Sequence, residues 1–211
     1  MKIKGFISVL AISVSILSFG QNTRGDIELG FNSGVNFSQI GNSTGNSDVS
    51  IRANFAASAD YFFSNRWSIR SKLIYDQKGW DNGYREDSSL DPTLEGPYRT
   101  DFNLNYLTVP VVGSWHFGSK RNWNIHFGPY VGVLLNAKET TKDTDVTKTF
   151  NAFDFGLSLG IGVKIPLSEK LKFSIAYDEQ SGLLDIFAKN PGSSISISRS
   201  SLNVGAAFML K

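Results

Sequence analysis

The sequence predicts an all-β chain, an eight-stranded antiparallel up-and-down transmembrane β-barrel, and three observations carry that prediction. In the segment from Ala152 to Gln180, Phe153, Phe155, Leu157, Leu159, Ile161, Val163, Ile165 and Leu167 occupy one parity, while Asp154, Gly156, Ser158, Gly160, Gly162 and Lys164 occupy the other. Side chains of a strand alternate between its faces, so this run is a strand with one apolar face. It lasts about fifteen residues, whereas strands of soluble domains run about five to six and a strand tilted across a bilayer needs about nine to eleven. The connections also alternate: about three to five residues after the second, fourth and sixth strands, and about eleven to twenty after the others. Antiparallel neighbours send successive connections to opposite ends, so all the short ones share one end, the asymmetry of outer-membrane barrels.

Taken in order, the chain begins with Lys2 and Lys4, an uncharged run from Gly5 to Phe19 and small residues before Gln21. This reads as a secretory signal peptide over residues 1–20, leaving 21–211 as the barrel domain. No later segment has eighteen consecutive apolar residues, so any span of the membrane must be made of strands. Asp26 to Ser38 alternates Ile27, Leu29, Phe31, Val35 and Phe37 against Glu28, Gly30, Asn32, Gly34 and Asn36, giving the first strand. A polar loop from Gln39 to Val49 follows, rich in glycine, asparagine and serine. Ile51 to Phe63 is the second strand, ending at the turn Ser64-Asn65-Arg66.

The third strand carries Trp67, Ile69, Leu73 and Tyr75 on one face and Arg70, Lys72, Asp76 and Lys78 on the other, with Ile74 as an exception. Trp80 to Thr100 is charged and rich in glycine and proline, and reads as the longest loop. In the fourth strand Phe102, Leu104 and Tyr106 hold even positions, but Leu107, Val109, Val111, Trp115 and Phe117 hold odd ones. That change of face predicts a β-bulge between Tyr106 and Pro110, which would also accommodate the proline. Trp123 to Leu135 is the fifth strand, Lys138 to Asn151 a loop, and the Phe153 and Leu171 runs are strands six and seven. A loop from Gly182 to Ser198 precedes the last strand, with Leu202, Val204, Ala206, Phe208 and Leu210 on one face.

Composition narrows the function classes. Lys and Arg total 21 against 19 Asp and Glu, so nothing argues for nucleic acid. Cysteine is absent, which removes disulfides, thiolate catalysis and the usual zinc sites. Tyr61, Phe63 and Trp67 flank one short turn and Trp115, Phe117 and Trp123 another, as an interfacial aromatic girdle requires. Glu28, Arg52, Asp60, Arg70, Lys72, Asp76, Lys78, Asp154, Lys164, Lys172 and Asp178 face away from the apolar side. An eight-stranded barrel is just wide enough for side chains to fill, so these charges are expected to pair inside as a plug.

His116 and His126 are the only histidines, and no serine or aspartate has motif spacing to either. Asp81, Glu86, Asp87, Asp143 and Asp145 lack the spacing of a calcium loop and read as solvated charge. Gly156, Gly160 and Gly162 lie on an inward strand face, where they reduce crowding, and form no dinucleotide fingerprint. No catalytic, cofactor-binding or metal-binding residue is therefore assigned. The chain ends on Asn203, Gly205, Phe208 and Leu210, spaced like the terminal signal of outer-membrane barrels, with the two apolar residues on one face.

Three segments, YLTVPVVGSWHF (Tyr106 to Phe117), GPYVGVLLNAK (Gly128 to Lys138) and FDFGLSLGIGVKI (Phe153 to Ile165), resemble the recurring core segments of the PorT-like outer-membrane β-barrel family, in the same order. The resemblance spans nearly all of the mature chain. It implies a small bacterial barrel, and through the founding type, which is associated with protein secretion and gliding machinery, accessory service to an envelope secretion or attachment complex.

The residues themselves favour an integral, monomeric outer-membrane protein in contact with lipid. Its role is structural or surface-interacting and non-enzymatic, and its long loops, Trp80 to Thr100 above all, meet a protein partner or external ligand. A narrow small-solute channel, a lipid-modifying barrel enzyme using a histidine and a soluble β-sandwich are the competing readings.

Overall fold

The computed structural model describes residues 22–41, 47–85 and 98–210. The segment 1–20, expected to be the signal peptide, and positions 42–46 and 86–97 lie outside them. The described residues form nine strands: β1 (Ile27–Ile40), β2 (Asp48–Phe62), β3 (Trp67–Arg85), β4 (Tyr98–Phe117), β5 (Trp123–Glu139), β6 (Thr144–Asp145), β7 (Phe153–Pro166), β8 (Leu171–Gly182) and β9 (Ile197–Met209). Eight of them are the staves of the barrel; β6 is a two-residue rung lying against the end of β5.

The hydrogen-bonded order runs β4-β3-β2-β1-β9-β8-β7-β5, and β4 pairs with β5 to close the ring. Each stave thus neighbours the staves before and after it in sequence, and β1 meets β9 at the seam, from Glu28 opposite Met209 to Ile40 opposite Ile197. Every pairing is antiparallel. Closure leaves no open edge, which is what lets a sheet sit in hydrocarbon without unsatisfied peptide groups. Gly205 makes the seam close: it faces Asn32, and a side chain there would run into the Phe31 carbonyl.

The outer wall carries the expected apolar faces. Phe31, Phe55, Ile69, Phe127, Phe153, Leu159 and Leu202 are each more than half exposed, a placement that makes sense only against lipid. At the short-turn end, Trp67 lies 6.5 Å from Trp115, Trp115 5.2 Å from Phe117 and Phe117 6.4 Å from Trp123, so the expected girdle is a continuous row of rings. Both described termini are at this same end: Leu210 N–H donates to the Ile27 carbonyl at 2.9 Å.

Several boundaries differ from expectation. β3 continues through Arg85 and β4 starts at Tyr98, so the ends of the Trp80 to Thr100 segment are strand rather than loop. Likewise β1 runs to Ile40, β2 starts at Asp48 and β9 starts at Ile197. Polar and glycine-rich sequence misleads there because these ends lie beyond the apolar belt.

The bulge predicted in β4 is also corrected. β4 keeps one parity inward from Thr100 to His116, with Phe102, Leu104 and Tyr106 all buried in the lumen. The irregularity is on the partner: Asn105 faces Asn136 but Tyr106 faces Leu134, leaving Leu135 as the extra residue of β5. A second shift, between Trp80 and Gly83 of β3, places Asn82 at a φ of 55°.

Candidate functional site

The lumen is built by inward parity, and its chemistry changes along the barrel axis. Nearest the short turns, Lys164 (β7) bridges Glu28 (β1) and Asp60 (β2), the latter at 2.9 Å, and Lys172 (β8) reaches Glu28 at 2.7 Å. Arg70 (β3) holds Asp60 at 2.8 Å and donates to Asn124 at 3.1 Å. Midway, Asp178 (β8) accepts from Lys72 at 2.8 Å and Asn203 at 2.8 Å, and lies 2.7 Å from His126 Nε2. Above that, Asp76 takes Arg199 at 3.0 Å and Asn36 at 2.8 Å, while Lys78 holds Asp154 at 3.0 Å between the rings of Tyr106 and Tyr130.

Each acid in this set touches a cation from another stave, the condition for carrying charge in a low-dielectric interior. Glycines make the room. At Gly160 a side chain would strike His126 and Asp178, and at Gly156 the Tyr130 ring. A cavity of about 30 Å³ remains beside Arg70, Lys72 and Lys164, space for a water or two. Arg70 Nη2, Asp154 Oδ1 and Gln180 Oε1 are buried without a hydrogen-bond partner; two of the three belong to residues already in the network.

At the loop end the lumen turns apolar. Trp80, Phe102, Leu104, Leu134 and Ile197 from the wall pack with Val146 and Phe150 from the β5–β7 connection and Ile186 from the β8–β9 connection. Trp80 stacks on Phe102 at 4.7 Å, and Phe150 meets Phe187 at 5.2 Å. The two connections are tied together: Asn151 N–H donates to the Ile186 carbonyl at 2.7 Å, Ala188 N–H to the Thr149 carbonyl at 3.0 Å, and the Asn151 amide to the carbonyls of Asp185 and Phe187. A short 3-10 turn, Thr147–Thr149, presents Thr147 Oγ1 to the Ala137 N–H at 2.8 Å. Among the described residues these segments form a cover over the loop end of the lumen.

Of the residues singled out from sequence, ten of the eleven charges belong to this network. Arg52 does not: it is set off by a register shift in β2 and pairs with Asp81 at 2.8 Å and Asn103 at 2.5 Å toward the loop end. Arg199 belongs to the network but was missed, because the serine-rich stretch before it reads as loop. Ile74, the exception in β3, faces the lumen and is buried.

Both histidines are buried. His116 Nε2 lies 3.0 Å from Ser68 Oγ, a juxtaposition that spacing in sequence does not reveal. It is not a nucleophile-base-acid relay. Asp60 accepts from the serine at 3.3 Å instead of orienting the imidazole, and Phe62 covers the ring at 4.8 Å.

The loop carboxylates stay apart. Asp81 is paired as described, Asp143 pairs with Lys138 at 2.9 Å, and the Thr147 N–H holds the Asp145 carboxyl below its usual range. Glu86 and Asp87 lie outside the described residues. Among the described residues no three histidines or acids converge as a metal site.

The sequence matches the protein family described as outer membrane protein beta-barrel domain over residues 19–188. No curated protein matches it. Among solved structures, the fold resembles the outer membrane protein OprG of Pseudomonas aeruginosa, at 12% identity and a TM-score of 0.56, covering 92% of this chain and 99% of that one. It also resembles the outer membrane protein AlkL determined in DMPC lipid bilayers, at 12% identity and a TM-score of 0.50, covering 91% of this chain and 93% of that one.

Proposed function

This chain belongs to the outer membrane protein beta-barrel domain family, and we propose that it is a monomeric, non-enzymatic surface-interaction barrel whose work is done at the loop end. Integral placement in the outer membrane follows from family and fold together. In our reading the short turns face the periplasm and the long connections face outward, as in other outer-membrane barrels, and residues 1–20 are the export signal removed on the way.

The observation that carries the reading is the filled lumen. Among the described residues a paired ionic network and an apolar cover occupy it, with a cavity of about 30 Å³ beside Arg70, Lys72 and Lys164. That counts against a small-solute channel, and the burial of His116 and His126 counts against a lipid-modifying enzyme built on them. What remains accessible is the rim: β3 and β4 reach Arg85 and Tyr98, past the apolar belt that ends near Tyr75 and Leu107. A polar wall standing above lipid is a platform for a protein partner or external ligand. A PorT-like affiliation within the family, and accessory service to a secretion or attachment complex, is the finer form of this proposal; its three resembling segments are the lipid-facing and lumenal cores of β4, β5 and β7.

The test is affinity capture from detergent-solubilised envelope with the full-length chain and with a variant lacking residues 86–97. Arg85 and Tyr98 are directly paired, so a two-residue turn can join them without disturbing the wall. Loss of a reproducible partner from the variant supports the proposal. Discrete conductance steps from the purified barrel in a planar bilayer would replace it with the channel reading.

A further inference from the structure

At the short-turn end three arginines converge on one open depression of about 570 Å³, lined also by Phe63, Ser64, Asn65 and Trp67. They come from separate parts of the chain. Arg24 precedes β1, Arg66 lies in the β2–β3 turn and Arg121 in the β4–β5 turn. Asn65 gathers them: its side-chain oxygen accepts from the Arg24 N–H at 3.3 Å, and its carbonyl accepts from the Arg121 guanidinium at 3.2 Å. Arg121 adopts a φ of 54°, a backbone conformation that favours glycine, in the turn that directs its side chain across to this neighbour.

Arg121 donates to the carbonyls of Asn65 and Asn22, but among the described residues no carboxylate neutralises the three cations. The lining contains no carboxylate, and none of the three arginines forms an ion pair among the described residues. The nearest acid in sequence, Asp26, is turned onto the Thr23 N–H at 2.7 Å and the Thr23 hydroxyl. Arginine forks fit phosphate oxygens in pairs. Trp67 belongs to the aromatic row at the membrane boundary and, with the exposed Phe63 beside it in the lining, fixes the depth of the depression at headgroup level.

We propose that this depression is a binding site for the phosphate of an anionic phospholipid in the leaflet beneath the short turns, with Arg24, Arg66 and Arg121 as its donors and Trp67 against the glycerol and upper acyl chain. The ligand is an amphiphile, since the cations and the lipid-facing rings border the same depression. The site is independent of the loop-end role.

Native mass spectrometry of the full chain in detergent containing equal phosphatidylglycerol and phosphatidylcholine reads it directly. Phosphatidylglycerol is expected to be retained preferentially, and the Arg24→Gln/Arg66→Gln variant to lose retention by about fivefold per arginine. The variant keeps the backbone hydrogen bonds that shape the turns, and its faster-migrating unboiled gel band reports that it remains folded. Arg24→Lys/Arg66→Lys is expected to retain an intermediate amount. Equal retention of the two lipids, or undiminished retention by the folded Gln variant, overturns the site. Displacement of phosphatidylglycerol by equimolar inorganic phosphate overturns the lipid assignment in favour of a free-anion site.

Discussion

The lumen shows how much a single side chain decides in a barrel this narrow. Lys78 is fully buried, held by Asp154 at 3.0 Å and flanked by the Tyr106 and Tyr130 rings at 5.2 and 4.9 Å. Removing the acid leaves the ammonium only Asp76, at 3.9 Å, and takes the acceptor from the Tyr130 hydroxyl, whereas removing both charges relieves the ammonium and leaves an apolar contact with the two rings. Asp154→Ala is therefore expected to cost about 3–5 kcal/mol, read by urea unfolding of the barrel in lipid vesicles. Adding Lys78→Met should recover most of the loss; if the double variant is no more stable than the single, the pair is not the origin of the cost. Most of this site is legible in the sequence, because inward parity alone picks out the charged residues. Which acid meets which cation is not, since the partners come from staves up to 144 residues apart and are matched only by register. The contact between Ser68 and His116 is hidden for the same reason.

At the scale of a strand, alternation of hydrophobicity reports the wall correctly only where inside and outside differ. Along β7 they differ throughout, and sequence and structure coincide there. In β4 the lumen becomes apolar beneath the cover, so Phe102, Leu104 and Tyr106 are greasy and yet face inward. The change of parity that imitated a bulge is a change in what fills the barrel. Position along a stave should then determine the cost of charge on its outer face. Leu159, halfway along the apolar run of β7, is 51% exposed to lipid; Leu159→Arg is expected to lose about 2–4 kcal/mol. Gln39 faces outward near the loop end of β1, and Gln39→Arg should change stability by less than about 0.5 kcal/mol. Comparable losses at the two sites in vesicle unfolding would mean that the belt is misplaced.

For the molecule as a whole, the alternation of short and long connections foretold the topology, and the seam between β1 and β9 completes it. The cover is not legible in the sequence: Phe150 and Phe187 meet from two connections that each read only as loop. Because β9 supplies both one side of the seam and Arg199, a chain ending before Ile197 is expected to show no heat-modifiable folded band on gels, while the full chain does. A compact band from the truncated chain would show that the remaining staves close without it.

The matching of charges across the barrel also bears on how it is made. Lys72 answers Asp178 across 106 residues, Arg199 answers Asp76 across 123 and Lys164 answers Glu28 across 136. Asp60 and Arg70, ten residues apart, can pair within an early fragment, but Glu28 and Lys72 wait for partners from distant staves, so a half-built sheet presents bare charge to any lipid it enters. Closure of the ring brings these partners together, so the last staves to arrive neutralise charge laid down by the first.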